Sequence, residues 1–219
     1  MNRPLAILGG TFDPVHNAHL RVAWEAAELL DAEVRLIPAN VPPHRDAPVA
    51  GARERAAILR AALIGQDRLV LDERELGREG PSWTIDTLID VRAEIGAERP
   101  LVLLVGADAF LGLPSWHRWS ELFDYAHIGV LTRPGHEIAV LPTELRIKVA
   151  SRRCADPTAL MQAPAGRVLQ IPVTPLEISA TQVRDVLAAG GEPRYLMPDA
   201  VLDDPALLAP YRRSPNDAS

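Results

Sequence analysis

The chain has 219 residues, 47% of them apolar and 24% charged, with a formal net charge of −6. That length can bury a substantial core, and the acidic balance argues against a non-specific nucleic-acid binder while still admitting small phosphorylated ligands, which need only a few local cations. Cys154 is the one cysteine, which excludes an intrachain disulfide and a zinc ribbon, and no apolar run matches a membrane span or a signal peptide, so a cytoplasmic enzyme is the expected class.

Leu5–Leu8 is a short apolar run stopped by Gly9 and Gly10, which reads as a buried strand. From about Ala18 to Asp31, Leu20, Ala23, Ala27 and Leu30 recur at helical spacing. Glu33–Ala39 is a second strand, followed by the proline-rich loop Asn40–Gly51. Residues 52–64 form a helix with apolar Ala57, Leu59, Ala61 and Leu63 among its charges, Arg68–Glu73 is a strand, and Ser82 opens a helix through TIDTLIDVRAEI. Pro100–Asp108 is the most apolar strand, and a short turn takes it to SWHRWSELFDYA, whose Trp116–His117 pair reads as a further helix start. His127–Gly135 is the next strand, 142–154 a helix with Cys154 near its end, and Arg167–Val173 the last strand. Ser179 reads as the N-cap of a helix that stops at Gly190. After Pro205 the chain turns proline-rich and polar, so residues 1–211 are expected as one domain and 212–219 as a frayed tail.

Strand and helix alternate almost throughout, and several strands are continuously apolar, the mark of a parallel sheet covered on both faces. The expected fold is therefore α/β, one doubly wound, mainly parallel sheet. Ligands of such sheets bind beyond the carboxyl ends of the strands, where strand order reverses.

The stretch GGTFDPVHNAHL, Gly9 to Leu20, lies at such an end. Its glycines let the backbone turn tightly and a ligand approach the main chain, and the following helix offers free N–H groups and a positive dipole end. His16 and His19, three apart, can face the same ligand. The dinucleotide motif G-x-G-x-x-G and the P-loop are both absent. Taken alone, the stretch also admits a metal-ligand pair or a plain capping turn, although Asn17 and Ala18 between the histidines do not fit a metallopeptidase motif. ISATQVR, Ile178 to Arg184, places Ser179 and Thr181 at another helix start with Arg184 one turn further in. That set suits a polyphosphate, or, alone, a cap with a surface charge.

Together these two stretches resemble the T/H-x-G-H and I-S-x-T-x-x-R motifs of the nucleotidyltransferase superfamily. PANVPPHR (Pro38–Arg45), SWTIDTL (Ser82–Leu88), GADAFLGLPSWHRW (Gly106–Trp119) and TRPG (Thr132–Gly135) further resemble the bacterial nicotinate mononucleotide adenylyltransferases, in order from Leu5 to about Leu187. The resemblance implies a Rossmann-like nucleotidyltransferase fold and transfer of the adenylyl group of ATP to nicotinate mononucleotide, with Mg2+ accompanying ATP. It implies catalytic roles for His16 and His19, and ATP binding by these two with Gly9, Gly10, Thr11, Phe12, Gly106, Asp108, Ser179, Thr181 and Arg184. Asp108 would accept from a ribose hydroxyl or cap a helix. His44, Arg45, Thr84, Trp116, His117 and Arg133 are the acceptor-side residues. Trp116 would stack on the pyridine ring and Thr84 hold its carboxylate. Arg45 and Arg133 would meet the acceptor phosphate or be solvated, and His44 would help or pack against Pro42. Trp83, where the family often has tyrosine, receives no role.

The implied partners are ATP and nicotinate mononucleotide, with no protein ligand to a metal, no nucleic acid and no membrane. A homodimer is compatible with the resemblance. Neither acceptor-side helix start is read as carrying an acidic side chain at its opening. Two positions depart from the family pattern: Ala18 replaces the glycine between the histidines, and Arg45 replaces a lysine. Ala18 is expected in ordinary helical geometry, since a methyl group is intolerant of a positive φ.

Overall fold

The computed structural model describes residues 3–41, 47–133 and 140–212. The apolar runs become the strands β1 (Leu5–Gly10), β2 (Glu33–Pro38), β3 (Leu69–Leu71), β4 (Leu101–Gly106), β5 (His127–Thr132), β6 (Arg153–Cys154) and β7 (Val168–Pro172). They form one sheet in the order β3-β2-β1-β4-β5-β7-β6, with every pairing parallel. The longer helices are α1 (Asn17–Leu30), α2 (Ala52–Ala62), α3 (Thr84–Ile95) and, after the short α4 (Ala107–Leu111), α5 (Leu122–Tyr125) and α6 (Thr143–Val149), α7 (Ala180–Ala188). Two one-turn helices, α8 (Asp199–Leu202) and α9 (Ala209–Arg212), close the described chain.

Side chains alternate across a strand, so each strand feeds both faces of the sheet. Ala6, Leu8, Val34, Leu36, Val102 and Leu104 pack under α1, α2 and α7, with Tyr211 of α9 at the margin. Leu5, Ile7, Leu101, Leu103, Val105 and Ile128 pack on the other face against α3, α5 and α6. Two buried faces are why the strands read as continuously apolar. In β5 the sheet has room for no side chain at Gly129: a Cβ there would lie 2.9 Å from Leu104 Cδ2, 3.0 Å from Ile171 Cδ1 and 3.1 Å from Val102 Cγ1. Gly129→Ala is expected to overpack this layer and cost about 1–3 kcal/mol, read in urea unfolding as a lower midpoint at unchanged slope.

The strand order reverses between β1 and β4. These two pair only from Leu5↔Leu101 to Leu8↔Leu104. Beyond that, Gly9 and Gly10 pair outward with Ile37 and Pro38 of β2, while Val105 and Gly106 pair outward with Val130 and Leu131 of β5. The central strands therefore part at their carboxyl ends and open the crevice in which ligands of doubly wound sheets bind.

Several expected boundaries move. Gly9 and Gly10 belong to β1 rather than to the turn, because β2 continues to hydrogen-bond them. On α2 the buried stripe is Arg55, Ala56, Ile58, Leu59 and Ala62, with Leu63 buried just beyond it, while Ala57 and Ala61 are only half-buried. β4 ends at Gly106, so Asp108 lies in the first turn of α4 instead of ending the strand. The SWHRWSELFDYA stretch is not one helix: Arg118 takes a left-handed φ of 52° between two three-ten turns, and only Leu122–Tyr125 is α-helical. The helix expected to reach Cys154 stops at Val149, and Arg153 and Cys154 instead pair with Val168 and Leu169 at the sheet edge. Tertiary pairing overrides local helix propensity there. The end of the His127–Gly135 strand and residues 213–219 fall outside the described residues.

Candidate active site

Between β1 and α1 the chain turns through Thr11–His16. Phe12 makes the sharp step, at a left-handed φ of 48°, a conformation costing a non-glycine residue about 1–2 kcal/mol. The ring goes into the core beneath Gly10, where a Cβ would sit 2.9 Å from its Cζ. Gly10 thus makes room for Phe12, and the turn the two glycines were expected to provide is made by Phe12 itself. Gly9 has nothing near the place of a Cβ and is exposed, which leaves its main chain approachable; the same holds for Gly106 across the crevice.

His16 is the N-cap of α1, with φ −144° and ψ 169°, and only 5% of it is exposed. Its ring stacks on His19 at 3.7 Å between centroids, and Phe12 stands edge-on to His19 at 5.1 Å. The main-chain N–H of His16 donates to His19 Nδ1 at 3.3 Å. A neutral imidazole that accepts at Nδ1 carries its proton on Nε2, so His19 presents Nε2–H as a donor. His16 Nδ1 is buried and has no hydrogen-bond partner among the described residues. A buried polar atom without a partner is costly, and a ligand is one way to satisfy it.

Burial lowers the His16 pKa from 6.5 to about 4. The folded value lies below the unfolded one, so the unfolded chain binds the proton better. Stability is lost as pH falls from about 6.5 toward 4, by at most about 3 kcal/mol from this group. Thermal melts between pH 7 and pH 4 should show a shallower decline for His16→Ala than for the wild type.

The α1 amides are only partly open to a ligand. Asn17 N–H donates to Leu196 O at 2.8 Å and His19 N–H to His16 O at 2.9 Å, leaving the Ala18 N–H. Ala18 lies in regular helix, as expected. Ala18→Gly should leave turnover intact and lower stability by under ~1 kcal/mol, measured by kcat and thermal melting side by side.

The opposite wall comes from α7. Ser179 caps it, its Oγ accepting from Gln182 N–H at 3.1 Å. Arg184 Nη2 donates to Thr181 Oγ1 at 3.2 Å, and Nη1 donates to Asp13 O at 2.7 Å. The two motifs, 171 residues apart in sequence, thus touch directly. Of the residues expected on the acceptor side, Thr84 opens α3, and the neighbouring Trp83 lies 4.9 Å from His117, ring to ring. Trp116 is half-buried against the α3 core but sits at the end of a three-ten turn, so the helix start expected there is not formed. Asp86 stands in the first turn of α3, contrary to the expectation of no acid there. Arg118 answers it at 4.0 Å while pairing with Glu121 at 2.6 Å. Arg133 is exposed, and His44 and Arg45 lie outside the described residues.

Residues 7–186 match the cytidylyltransferase-like family model. The "Probable nicotinate-nucleotide adenylyltransferase" of Pseudomonas putida (strain W619) is 53% identical over 91% of both chains. The protein of the same name from Pseudomonas syringae pv. tomato is 48% identical over 99% of this chain and 97% of its own. The chain belongs to the nicotinate-nucleotide adenylyltransferase family. Among solved structures, Plasmodium falciparum nicotinic acid mononucleotide adenylyltransferase complexed with NaAD shares the fold, with a TM-score of 0.68 at 15% identity and 96% coverage of both chains.

Three buried residues around the β1–α1 turn escaped the sequence reading. Asp13, buried in the turn, accepts from Val49 N–H at 2.8 Å, Ala50 N–H at 3.1 Å and the Tyr211 hydroxyl at 2.8 Å. Burial pushes the Tyr211 pKa upward, so it stays a donor. Arg55, 1% exposed, donates to four main-chain carbonyls. Its signal was available: Arg55, Ile58, Leu59 and Ala62 follow the i, i+3, i+4, i+7 stripe, which places an arginine on the buried face. Tyr211 had no such signal, lying at the end of the proline-rich, polar stretch after Pro205.

Proposed function

We propose that the chain transfers the adenylyl group of ATP to nicotinate mononucleotide, yielding nicotinate adenine dinucleotide and pyrophosphate. The observation that carries this reading is the contact of Arg184 with Asp13, which puts both phosphate-type motifs at the mouth of the β1/β4 crevice. An oxygen of the acceptor phosphate attacks the α-phosphorus of ATP, and the bond to the α–β bridging oxygen breaks as pyrophosphate leaves. The nucleophile is already ionised, so no general base is required. Catalysis reduces to holding two anions in line and stabilising the charge that builds on the α-phosphate and the leaving group.

His16 and His19 supply donors from one side, with Gly9, Gly10 and Thr11 giving close main-chain approach. Ser179, Thr181 and Arg184 hold the triphosphate from the other side, and Gly106 and Asp108 lie toward the ribose. The buried Phe12 ring acts by packing, leaving only its main chain for a ligand. On the acceptor side Thr84 receives the pyridine carboxylate and Trp116 and His117 wall the ring, while Arg133, His44 and Arg45 are the candidates for the acceptor phosphate. The phosphate site offers imidazoles, a guanidinium, hydroxyls and amides, and among the described residues no three His, Cys, Asp or Glu side chains gather to hold a metal. Such donors fit Mg2+ carried on the ATP phosphates, where it neutralises part of their charge.

Among the described residues no helix is long and apolar enough to cross a membrane. A cytoplasmic location, no nucleic-acid partner and a homodimer complete the reading. Isotopic exchange of labelled pyrophosphate into ATP tests it: exchange that depends on nicotinate mononucleotide supports direct transfer. Exchange that ignores this acceptor but follows another mononucleotide would reassign the substrate, and none at all with any acceptor would indicate a nucleotide-binding protein without turnover.

A further inference from the structure

We propose that Arg55 is a positioning residue which, together with Asp13, sets the spacing between the ATP-side turn and the acceptor-side wall. The inference rests on the reaction proposed above. Arg55 Nη1 donates to Thr11 O at 2.5 Å, Nη2 to Ala39 O at 2.8 Å and Asn40 O at 3.3 Å, and Nε to Ala50 O at 3.1 Å. One planar guanidinium thereby joins the end of β1, the end of β2 and the approach to α2. Asp13 ties the same segments from the other direction, through Val49 N–H and Ala50 N–H.

The acceptor side hangs on this junction. Asn40 N–H donates to Ser82 Oγ and Ser82 N–H to Val41 O, both at 3.1 Å, so the start of α3 with Thr84 is stitched to the strand end that Arg55 holds. From Thr11 to Thr84 the path runs through Arg55, Asn40 and Ser82 with no gap. Filling the space would need only an apolar side chain, and burying a charge without a hydrogen-bonded carboxylate is expensive. Burial accordingly lowers the Arg55 pKa. What a guanidinium adds is a rigid fork of donors that fixes several carbonyls relative to one another. In a reaction that depends on aligning two phosphates, an error of about 1 Å can cost on the order of 10²-fold.

The test is steady-state kinetics of the full chain with ATP and nicotinate mononucleotide, for Arg55→Lys, Asp13→Asn and the double variant, alongside thermal melts. Arg55→Lys keeps the charge and loses the fork. The expected result is a kcat lower by about 10- to 100-fold, with both KM values within about threefold of wild type. The double variant should lose little more than the worse single one, as residues acting as a unit do. A kcat within threefold of wild type, whatever happens to the melting temperature, would overturn the proposal by reducing Arg55 to a stability element. A raised KM at unchanged kcat would overturn it in favour of direct binding. Should Arg55→Lys not fold, Asp13→Asn read by the same criteria decides. Wild-type turnover in the same assay separates failure of this inference from failure of the assigned reaction.

Discussion

His19→Ala is expected to lower kcat by roughly 10²–10³-fold while leaving the KM for ATP nearly unchanged, the range for loss of one preorganised donor aimed at charge that develops in the transition state. The preorganisation is visible. The ring is held by stacking on His16, an edge from Phe12 and the His16 N–H on Nδ1, among its contacts. The last of these places the proton on Nε2. His19→Asn keeps a donor and should recover part of the loss, whereas a variant of near-full kcat would remove His19 from the catalytic step.

Nicotinate mononucleotide should be preferred over nicotinamide mononucleotide by on the order of 10²-fold in kcat/KM, since charge-assisted hydrogen bonds run about twice as strong as neutral ones and a misplaced amide sets donors against donors. On the proposed site the discrimination is expected to come from the start of α3. Asp86 N–H and Thr87 N–H are spent on Trp83 O, which among the described residues leaves the Thr84 and Ile85 N–H groups and the Thr84 hydroxyl for a carboxylate. Trp116–His117 adds no second helix start, and the Arg118 charge is answered by Glu121 and Asp86, so neither lends α3 much further positive potential. Steady-state kinetics with both acceptors at matched ATP checks the preference, and equal or reversed efficiency would remove Thr84 as the carboxylate site. Thr84→Val should shrink the ratio by raising the KM for the nicotinate form alone.

The sheet was readable because both of its faces are buried: runs such as Leu101–Val105 have no polar alternation to hide them. The phosphate motifs were readable because helix starts rich in Gly, Ser, Thr and His are local in sequence. What stayed hidden depended on partners far along the chain. Cys154 reads as helix end because the strand that captures it, β7, begins fourteen residues later at Val168. Asp13 reads as an ordinary Asp-Pro turn, yet its hydrogen bonds reach to Val49, Ala50 and Tyr211. The Trp116–Arg118 stretch has helical composition, and the left-handed Arg118 backbone breaks it. Gly10 reads as a turn glycine, yet a Cβ there would meet the Phe12 ring, and the turn itself falls to Phe12.

The central claim is adenylyl transfer at the α-phosphorus by alignment of two anions. Wild-type protein incubated with ATP, Mg2+ and nicotinate mononucleotide, followed by phosphorus NMR, tests it most directly. The account predicts nicotinate adenine dinucleotide and pyrophosphate appearing in equal amounts, each matched by the ATP consumed. Release of ADP or inorganic phosphate in place of pyrophosphate, or consumption of ATP without dinucleotide, would contradict it.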